Sequence, residues 1–187
     1  STDNGQNFVG RITADPTTTT PITIDIWTVA NDNSLFIGSF DDTNNQGLVY
    51  YTANSGSFYS EPAEVGTQPL NSIALSPNYE QDKTILVGNT YGEVYWSNDS
   101  GISFERLGDQ LPTGKGVIND ITVAFDPRFS TNNTVYAASH CYIGTTHQSA
   151  IYRFIIDTTH RWTSIDGTLP DGSMMSQLMA SAYGTLY

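Results

Sequence analysis

The sequence predicts an all-β fold, a β-propeller made of blades of four antiparallel strands, and two observations carry that prediction. The chain repeats itself with a period of about 50 residues, the range in which internal repeats build solenoids and propellers. Within each copy, four short runs rich in Val, Ile, Tyr, Phe and Thr alternate with Gly, Asn, Asp, Ser and Pro, the pattern of strands and turns. No window shows the spacing of an amphipathic helix, so almost no helix is expected. Four strands in a unit of this length make one propeller blade.

The repeat is read residue against residue. Ile73-Ala74-Leu75-Ser76-Pro77-Asn78-Tyr79 lies over Val123-Ala124-Phe125-Asp126-Pro127-Arg128-Phe129 at an offset of 50. The same offset places Thr84-Ile85-Leu86-Val87-Gly88-Asn89 over Thr134-Val135-Tyr136-Ala137-Ala138-Ser139 and back onto Ser34-Leu35-Phe36-Ile37-Gly38-Ser39. Residues 92–101 match 47–56, and a worn third copy begins at Ala150 and ends at Trp162. The units are 22–69, 70–116 and 117–172, with 173–187 opening a fourth, so about three complete blades form an incomplete ring. In the second unit the strands are expected near 71–76, 84–89, 92–97 and 103–107. Residues 1–21 read as a Thr-rich linker or the end of a preceding blade, with Phe8-Val9-Gly10-Arg11-Ile12 as an outer strand of that blade. A chain that stops inside a blade is read as part of a longer polypeptide, or as one that another chain completes.

Residues 97–104 spell S-x-D-x-G-x-S-F and fall on the hairpin between the third and fourth strands. Asp99 is suited to accept hydrogen bonds from turn N–H groups, Gly101 to take a positive φ, and Phe104 to tuck under the turn. Ser97, Asp99, Gly101, Ser103 and Phe104 therefore form a structural clip. Asn54, Gly56 and Phe58 are its counterpart in the first unit.

At these residues the chain resembles the Asp-box, or bacterial neuraminidase repeat, propellers, a superfamily that includes sialidases, sortilin-type domains, xyloglucanases and photosystem assembly factors. The string running over 76–101 is similar to blades of secreted and cell-surface prokaryotic proteins. The resemblance covers roughly 22–187 and implies a fold, with the box at the blade periphery and away from an axial ligand site. Its implications for activity are weak, because the superfamily hosts unrelated functions.

Seven Lys and Arg against nineteen Asp and Glu give a net charge of −12. A chain so short of cations is not expected to neutralise nucleic acid phosphates or to bind anionic membranes. No apolar run reaches the length of a membrane-spanning helix. The acidic composition, rich in hydroxyl and amide side chains, suits an exported protein, extracellular or at the cell surface. Cys141 is the sole cysteine, so no internal disulfide forms and a buried thiol is expected.

Candidate chemistry is sparse. The sialidase resemblance requires an arginine triad, and Arg11, Arg106, Arg128, Arg153 and Arg161 lack the motif that carries its first member. Asp25 and Asp120 are the candidates for a pair of hydrolytic carboxylates facing an axial channel, with turn-capping as the alternative role. In the 41–45 stretch, Asp41 and Asp42 are the candidates for Ca²⁺, a hard cation that takes oxygen ligands, although the spacing is not that of a known calcium loop and a solvated turn is the simpler reading. No cofactor and no other metal is assigned. His140, Tyr142, Ile143 and His147 fall in what reads as a loop insertion of the third unit, a candidate interaction surface. Of the two N-x-S/T sequons, Asn132 is expected to be the better glycan acceptor than Asn98, which sits inside the clip.

The function expected is thus a non-catalytic extracellular module, structural or protein-binding, of a surface layer or large assembly. Its partners are other subunits or remaining blades, with glycans as a further class. The competing reading is part of a secreted glycoside hydrolase or carbohydrate-binding propeller.

Overall fold

The structure, a computed structural model, describes residues 5–7, 9–111, 119–143, 146–165, 167, 169–170 and 173–187. Three four-stranded antiparallel sheets stand side by side in an open arc. Blade 1 is β1 (Ile26–Asn31), β2 (Ser34–Asp41), β3 (Gln46–Thr52) and β4 (Ala63–Glu64). Blade 2 is β5 (Leu70–Leu75), β6 (Ile85–Asn89), β7 (Val94–Ser97) and β8 (Glu105–Arg106). Blade 3 is β9 (Asn119–Phe125), β10 (Thr134–Ile143), β11 (Thr146–Ile155) and β12 (Thr163–Ser164). The only helices among the described residues are single turns, α1 (Tyr79–Asp82) and α2 (Phe129–Asn132), each joining the first two strands of its blade.

Pairing is in register across the repeat. Trp27, Ile73 and Val123 face Ile37, Val87 and Ala137, and Val29, Leu75 and Phe125 face Leu35, Ile85 and Val135. Because alternate side chains of a strand leave opposite faces, each blade has a forward and a backward apolar face. Phe36 on β2 faces forward into a cluster with Ile73, Leu75, Ile85 and Val87 of blade 2. Its ring meets Tyr79 edge-on, with centroids 5.8 Å apart. Leu86, one repeat later, packs forward with Val123, Phe125 and Val135. Tyr136 does the same with Leu178 and Ala180. The core therefore lies between sheets rather than within any one of them.

Polar links follow the same period. The Val123 N–H donates to Ser72 Oγ at 2.9 Å, and the Leu178 N–H to Thr122 Oγ1 at 3.1 Å. Trp162 Nε1 donates to the Leu107 carbonyl at 2.9 Å, binding the outer parts of blades 2 and 3. Gly88 permits the close approach of β6 to β9: a Cβ there would lie 2.8 Å from Ile121 Cγ2.

Residues 178–187 form a two-stranded hairpin on the forward face of blade 3. Ala180 bridges Leu186, and Met179 and Tyr187 exchange both N–H···O bonds at 2.8 Å. With Leu178 bonded as Val123 is, this hairpin supplies the inner two strands of a next sheet.

Four expectations are corrected. Residues 9–13 carry no strand, and Val9 and Ile12 are exposed; Phe8 lies outside the described residues. The Thr-rich stretch is a closed turn rather than a free linker. Ala14 bridges Pro21, Asp15 Oδ1 accepts from the N–H groups of Thr17 and Thr18, and Tyr50 Oη donates to Asp15 Oδ2 at 2.9 Å. The supposed loop at 140–147 is strand: β10 and β11 stay paired to Tyr142 opposite His147 and Ile143 opposite Thr146. Finally, β8 is shorter than 103–107 because the Ser103 N–H and hydroxyl are committed to Asp99.

Phe36 is fully buried at the centre of the first inter-blade cluster. Phe36→Ala is expected to cost about 3–5 kcal/mol, read as a fall in the urea midpoint with m unchanged.

Candidate functional site

The clip of blade 2 is a closed hydrogen-bond ring. Ser97 Oγ donates to Asp99 Oδ1 at 2.7 Å and accepts from the Gly101 N–H at 2.9 Å. Asp99 Oδ1 also accepts from the N–H groups of Ile102 and Ser103, and Oδ2 accepts from Ser103 Oγ at 2.6 Å. Ser100 and Gly101 both have positive φ, 67° and 79°. In blade 1 the ring is rebuilt with a neutral acceptor. Thr52 Oγ1 donates to Asn54 Oδ1 at 2.9 Å, and the N–H groups of Ser57 and Phe58 donate to the same oxygen at 3.0 Å. Each turn is tied to the connection between the first two strands. The N–H groups of Ser55, Ser100 and Ile156 donate to the carbonyls of Asn33, Lys83 and Asn133.

The structure corrects the aromatic of the first clip. Phe58 donates its N–H as Ser103 does and is 77% exposed, so the counterpart of Phe104, which packs on the cluster shared by blades 1 and 2, is the half-buried Tyr59. Gly101 rests on Phe36 and Ile85, while the matching Gly56 lies against the Tyr59 hydroxyl and then Arg11 of the N-terminal segment. The geometry places the clips at the turn between third and fourth strands, where their atoms are spent on one another.

Sequence reasoning passed over a second carboxylate motif at the connections carrying α1 and α2. In blade 3, Asp126 accepts from the Arg128 N–H, from Asn132 Nδ2 and from Tyr136 Oη. In blade 2 the carboxylate sits at the other end: Asp82 accepts from Ser76 Oγ and from the Thr84 N–H. The repeat of a polar residue before each Pro, with Asp or Asn six positions on, was the available signal. This network also engages Asn132, one of the two sequon asparagines. Asn132 Nδ2 is already a donor to Asp126, and Asn132 Oδ1 accepts from the Thr134 N–H; Asn98 is exposed.

Asp25 starts blade 1 and Asp120 lies on β9, two blades away. Asp120 opens on a cleft of about 280 Å³ with Asn71, Thr122, His140, Met174 and Met175. His140 is buried on β10, its Nδ1 lying 2.9 Å from Ser149 Oγ. The Ser149 hydroxyl donates its one proton to the Ser173 carbonyl. Nδ1–H must then be the donor to Ser149, the reverse of the arrangement in which histidine takes a proton from a serine nucleophile. The side chains of Tyr142, Ile143 and His147 lie outside the described residues. Cys141 is a buried free thiol, its pKa raised by burial.

Asp41 and Asp42 line a larger cleft, about 540 Å³, between the N-terminal turn and blade 1, with Asp15, Asn44, Tyr50 and Glu64. Asp41 Oδ1 accepts from the N–H groups of Thr43 and Asn44, and Oδ2 from Asn44 Nδ2 at 2.7 Å. Among the described residues no group of three or more His, Cys, Asp or Glu side chains is placed to hold a metal ion. The arginines are dispersed. Arg106 bonds Glu93 at 2.8 Å and the Gly108 carbonyl, Arg128 lies beside Asp126, and Arg153 and Arg161 are exposed on blade 3.

The carboxylates divide by environment. Hydrogen bonds from Thr18 above all hold Asp15 below the usual carboxylate range, and those from Asn44 do so for Asp41. At Asp99 and Asp126 burial pushes upward, but the combined hydrogen bonds outweigh it and both are lowered. Burial, then the Asp126 carboxylate, pushes the Tyr136 hydroxyl up to about 12. Asp25 goes the other way: burial first, then the charge of Asp42, raises it.

With this geometry the chain is similar to solved propellers. An ancestral GH74 enzyme superposes with a TM-score of 0.62 at 15% identity, covering 90% of this chain and 23% of that one. The Niastella koreensis GH74 enzyme gives 0.61 at 17%, covering 87% and 25%. YCF48 bound to D1 peptide gives 0.53 at 15%, covering 89% and 45%. The fold is a β-propeller. The chain spans about a quarter of the length of those two GH74 enzymes. No family model matches the chain, and no curated protein matches it.

Blade 1 shows that an amide oxygen serves in the clip. Asp99→Asn is therefore expected to cost less than about 1 kcal/mol, and Asp99→Ala, which strands several donors, about 2 kcal/mol or more; urea titration checks both. The lowered carboxylates stabilise the fold fully above their unfolded value of 3.8. That contribution is lost as pH falls through their lower folded values, so the urea midpoint should drop steeply between about pH 4 and pH 2. Asp25, being raised, opposes folding once ionised. Asp25→Asn should raise the midpoint at pH 7 and leave it unchanged at about pH 3.

Proposed function

We propose that this chain is a non-catalytic segment of an Asp-box type propeller, exported or at the cell surface. In this reading it works as a structural or protein-interaction module of a surface layer or large assembly. The observation that carries the proposal is the fate of its carboxylates. Asp15, Asp41, Asp99 and Asp126 each accept from turn N–H, amide or hydroxyl donors, and all four are held below the usual carboxylate range, which favours turn-building anions over proton donors. Asp25, just before the first strand of blade 1, and Asp120, on the first strand of blade 3, are separated by a whole blade, and the serine hydroxyl beside His140 donates its hydrogen bond to a carbonyl. The acidic, cation-poor surface favours an exported protein over one that binds nucleic acid. A propeller neighbour described as bound to a peptide supports protein partners.

A second reading, part of a secreted glycoside hydrolase or glycan-binding propeller, is favoured by one observation. Asp25 has a raised pKa beside the charge of Asp42, as a proton-donating carboxyl requires.

The test is incubation of the protein with a panel of plant and microbial polysaccharides, followed by chromatography of soluble products. No release above the blank is expected. Turnover that disappears in Asp25→Asn would replace the first reading by the second.

A further inference from the structure

Blade 3 departs from the repeat on the face that meets the segment leading into the C-terminal hairpin. Strand register sets Asp120 of β9 opposite His140 of β10, and His140 opposite Ser149 of β11, so the three side chains share one face of the sheet. Fifty residues earlier, the positions of Asp120 and His140 hold Leu70 and Thr90. A carboxylate and a buried imidazole thus stand where the blade fold is satisfied by leucine and threonine. Their neighbour Asn71 also breaks the pattern. β5 pairs Leu70 with Asn89 and Ser72 with Gly88, which leaves Asn71 as the extra residue of a bulge, whereas β9 pairs with β10 without interruption from Asn119 to Phe125. Bulges re-aim side chains and are over-represented beside active sites.

Asp120, His140 and Asn71 line the cleft of about 280 Å³, whose apolar part is Ile121, Met174 and Met175. The cleft lies at an internal junction, between blades 2 and 3 and the segment that follows blade 3. Its walls are fixed. His140 Nδ1–H donates to Ser149 Oγ, and the Ser149 hydroxyl donates to the Ser173 carbonyl. Ser173 in turn donates its N–H and hydroxyl to the Pro170 carbonyl, and Met175 packs with Tyr136, Ala138 and Leu178. The volume is just under the range usual for ligand pockets, roughly 300–1,000 Å³, room for a short chain rather than for a sugar polymer. Among the described residues that line it there is no lysine or arginine, so the cleft itself supplies Asp120 with no such counter-charge.

From this we infer that the cleft is a binding site for an alkylammonium group, which pairs with the Asp120 carboxylate and lays its methylene stem along Ile121 and the two methionines. A primary ammonium is a compact cation with donors and no acceptor, the complement of a site whose one permanent charge is a carboxylate. Thioether side chains adapt their shape to an aliphatic stem. A metal ion fits less well, because among the described residues no three His, Cys, Asp or Glu side chains converge. The same group comes from two sources, a lysine side chain of a partner protein or a free alkylamine. The lysine source rests on the interaction-module reading above; the chemistry of the cleft does not.

Nuclear magnetic resonance of protein labelled at the methionine methyl carbons reads the cleft directly, because Met174 and Met175 line it and the third methionine, Met179, does not. Titration with n-butylamine at neutral pH is expected to shift the Met174 and Met175 signals along a saturable curve in the millimolar range, weakened by added salt, while Met179 stays in place. n-Butanol, of the same length but uncharged, should move none of them. Asp120→Asn, at an exposed position, should leave melting unchanged and weaken amine binding about tenfold or more. N-acetyl-lysine methylamide separates the sources. If it binds at least as tightly as butylamine the site takes a partner's side chain; if more weakly, a free amine. No saturable shift with either amine, an equal shift with butanol, or undiminished binding after Asp120→Asn overturns the inference. Polysaccharide turnover would overturn the non-catalytic reading without altering the amine titration, so the two failures are distinguishable.

Discussion

Stability in this molecule depends on what each sheet finds on its neighbour. A four-stranded sheet this small has two apolar faces and no interior, so burial comes only from stacking. Phe36, Leu86 and Tyr136 are the residues through which that stacking is made, one per blade and all on the second strand. Their placement fixes the remainder. Gly88 has to be small so that β6 can approach β9, and Ser72 and Thr122 accept the first-strand N–H of the following sheet. The clips then hold the outer turns at the radius where Gly101 touches the preceding Phe36.

Function is constrained by the same economy of acids. Nineteen acidic residues against seven basic ones suggest a surface of free carboxylates, but the conspicuous ones are engaged in local turns. Asp99 and Asp126 illustrate the point, since each oxygen has a named donor. Groups so employed set the shape of loops. Asp25 differs from them, destabilised as an anion by burial and by Asp42.

The strands and the clip of blade 2 were legible because both are local. Alternating apolar runs show in the sequence, and an Asx-type turn needs only its own few residues. What escaped were features decided by hydrogen bonds or by distant neighbours. Phe58, which reads as the clip aromatic, holds the position of Ser103 and stays in solvent, while Tyr59 holds that of Phe104; only the turn's hydrogen bonds reveal the one-residue shift. The long β10–β11 hairpin reads as a loop because Ser139, His140, Gln148 and Ser149 interrupt the apolar pattern. The His140–Ser149 hydrogen bond allows those polar residues to remain within paired strands. Asn132 looked like an open sequon until its amide was found bonded to Asp126.

The exchange between Ser76–Asp82 in blade 2 and Asp126–Asn132 in blade 3 has an evolutionary consequence. Within one connection, the negative charge has moved from the last position to the first while the supporting turn kept its shape. Of the two single changes that separate these pairs, one sets two carboxylates face to face, whereas the other, serine with asparagine, keeps a donor against an acceptor. Substitutions at such places are epistatic, and the order of the two steps matters. Propellers can therefore drift far apart in sequence while their backbones stay superposable.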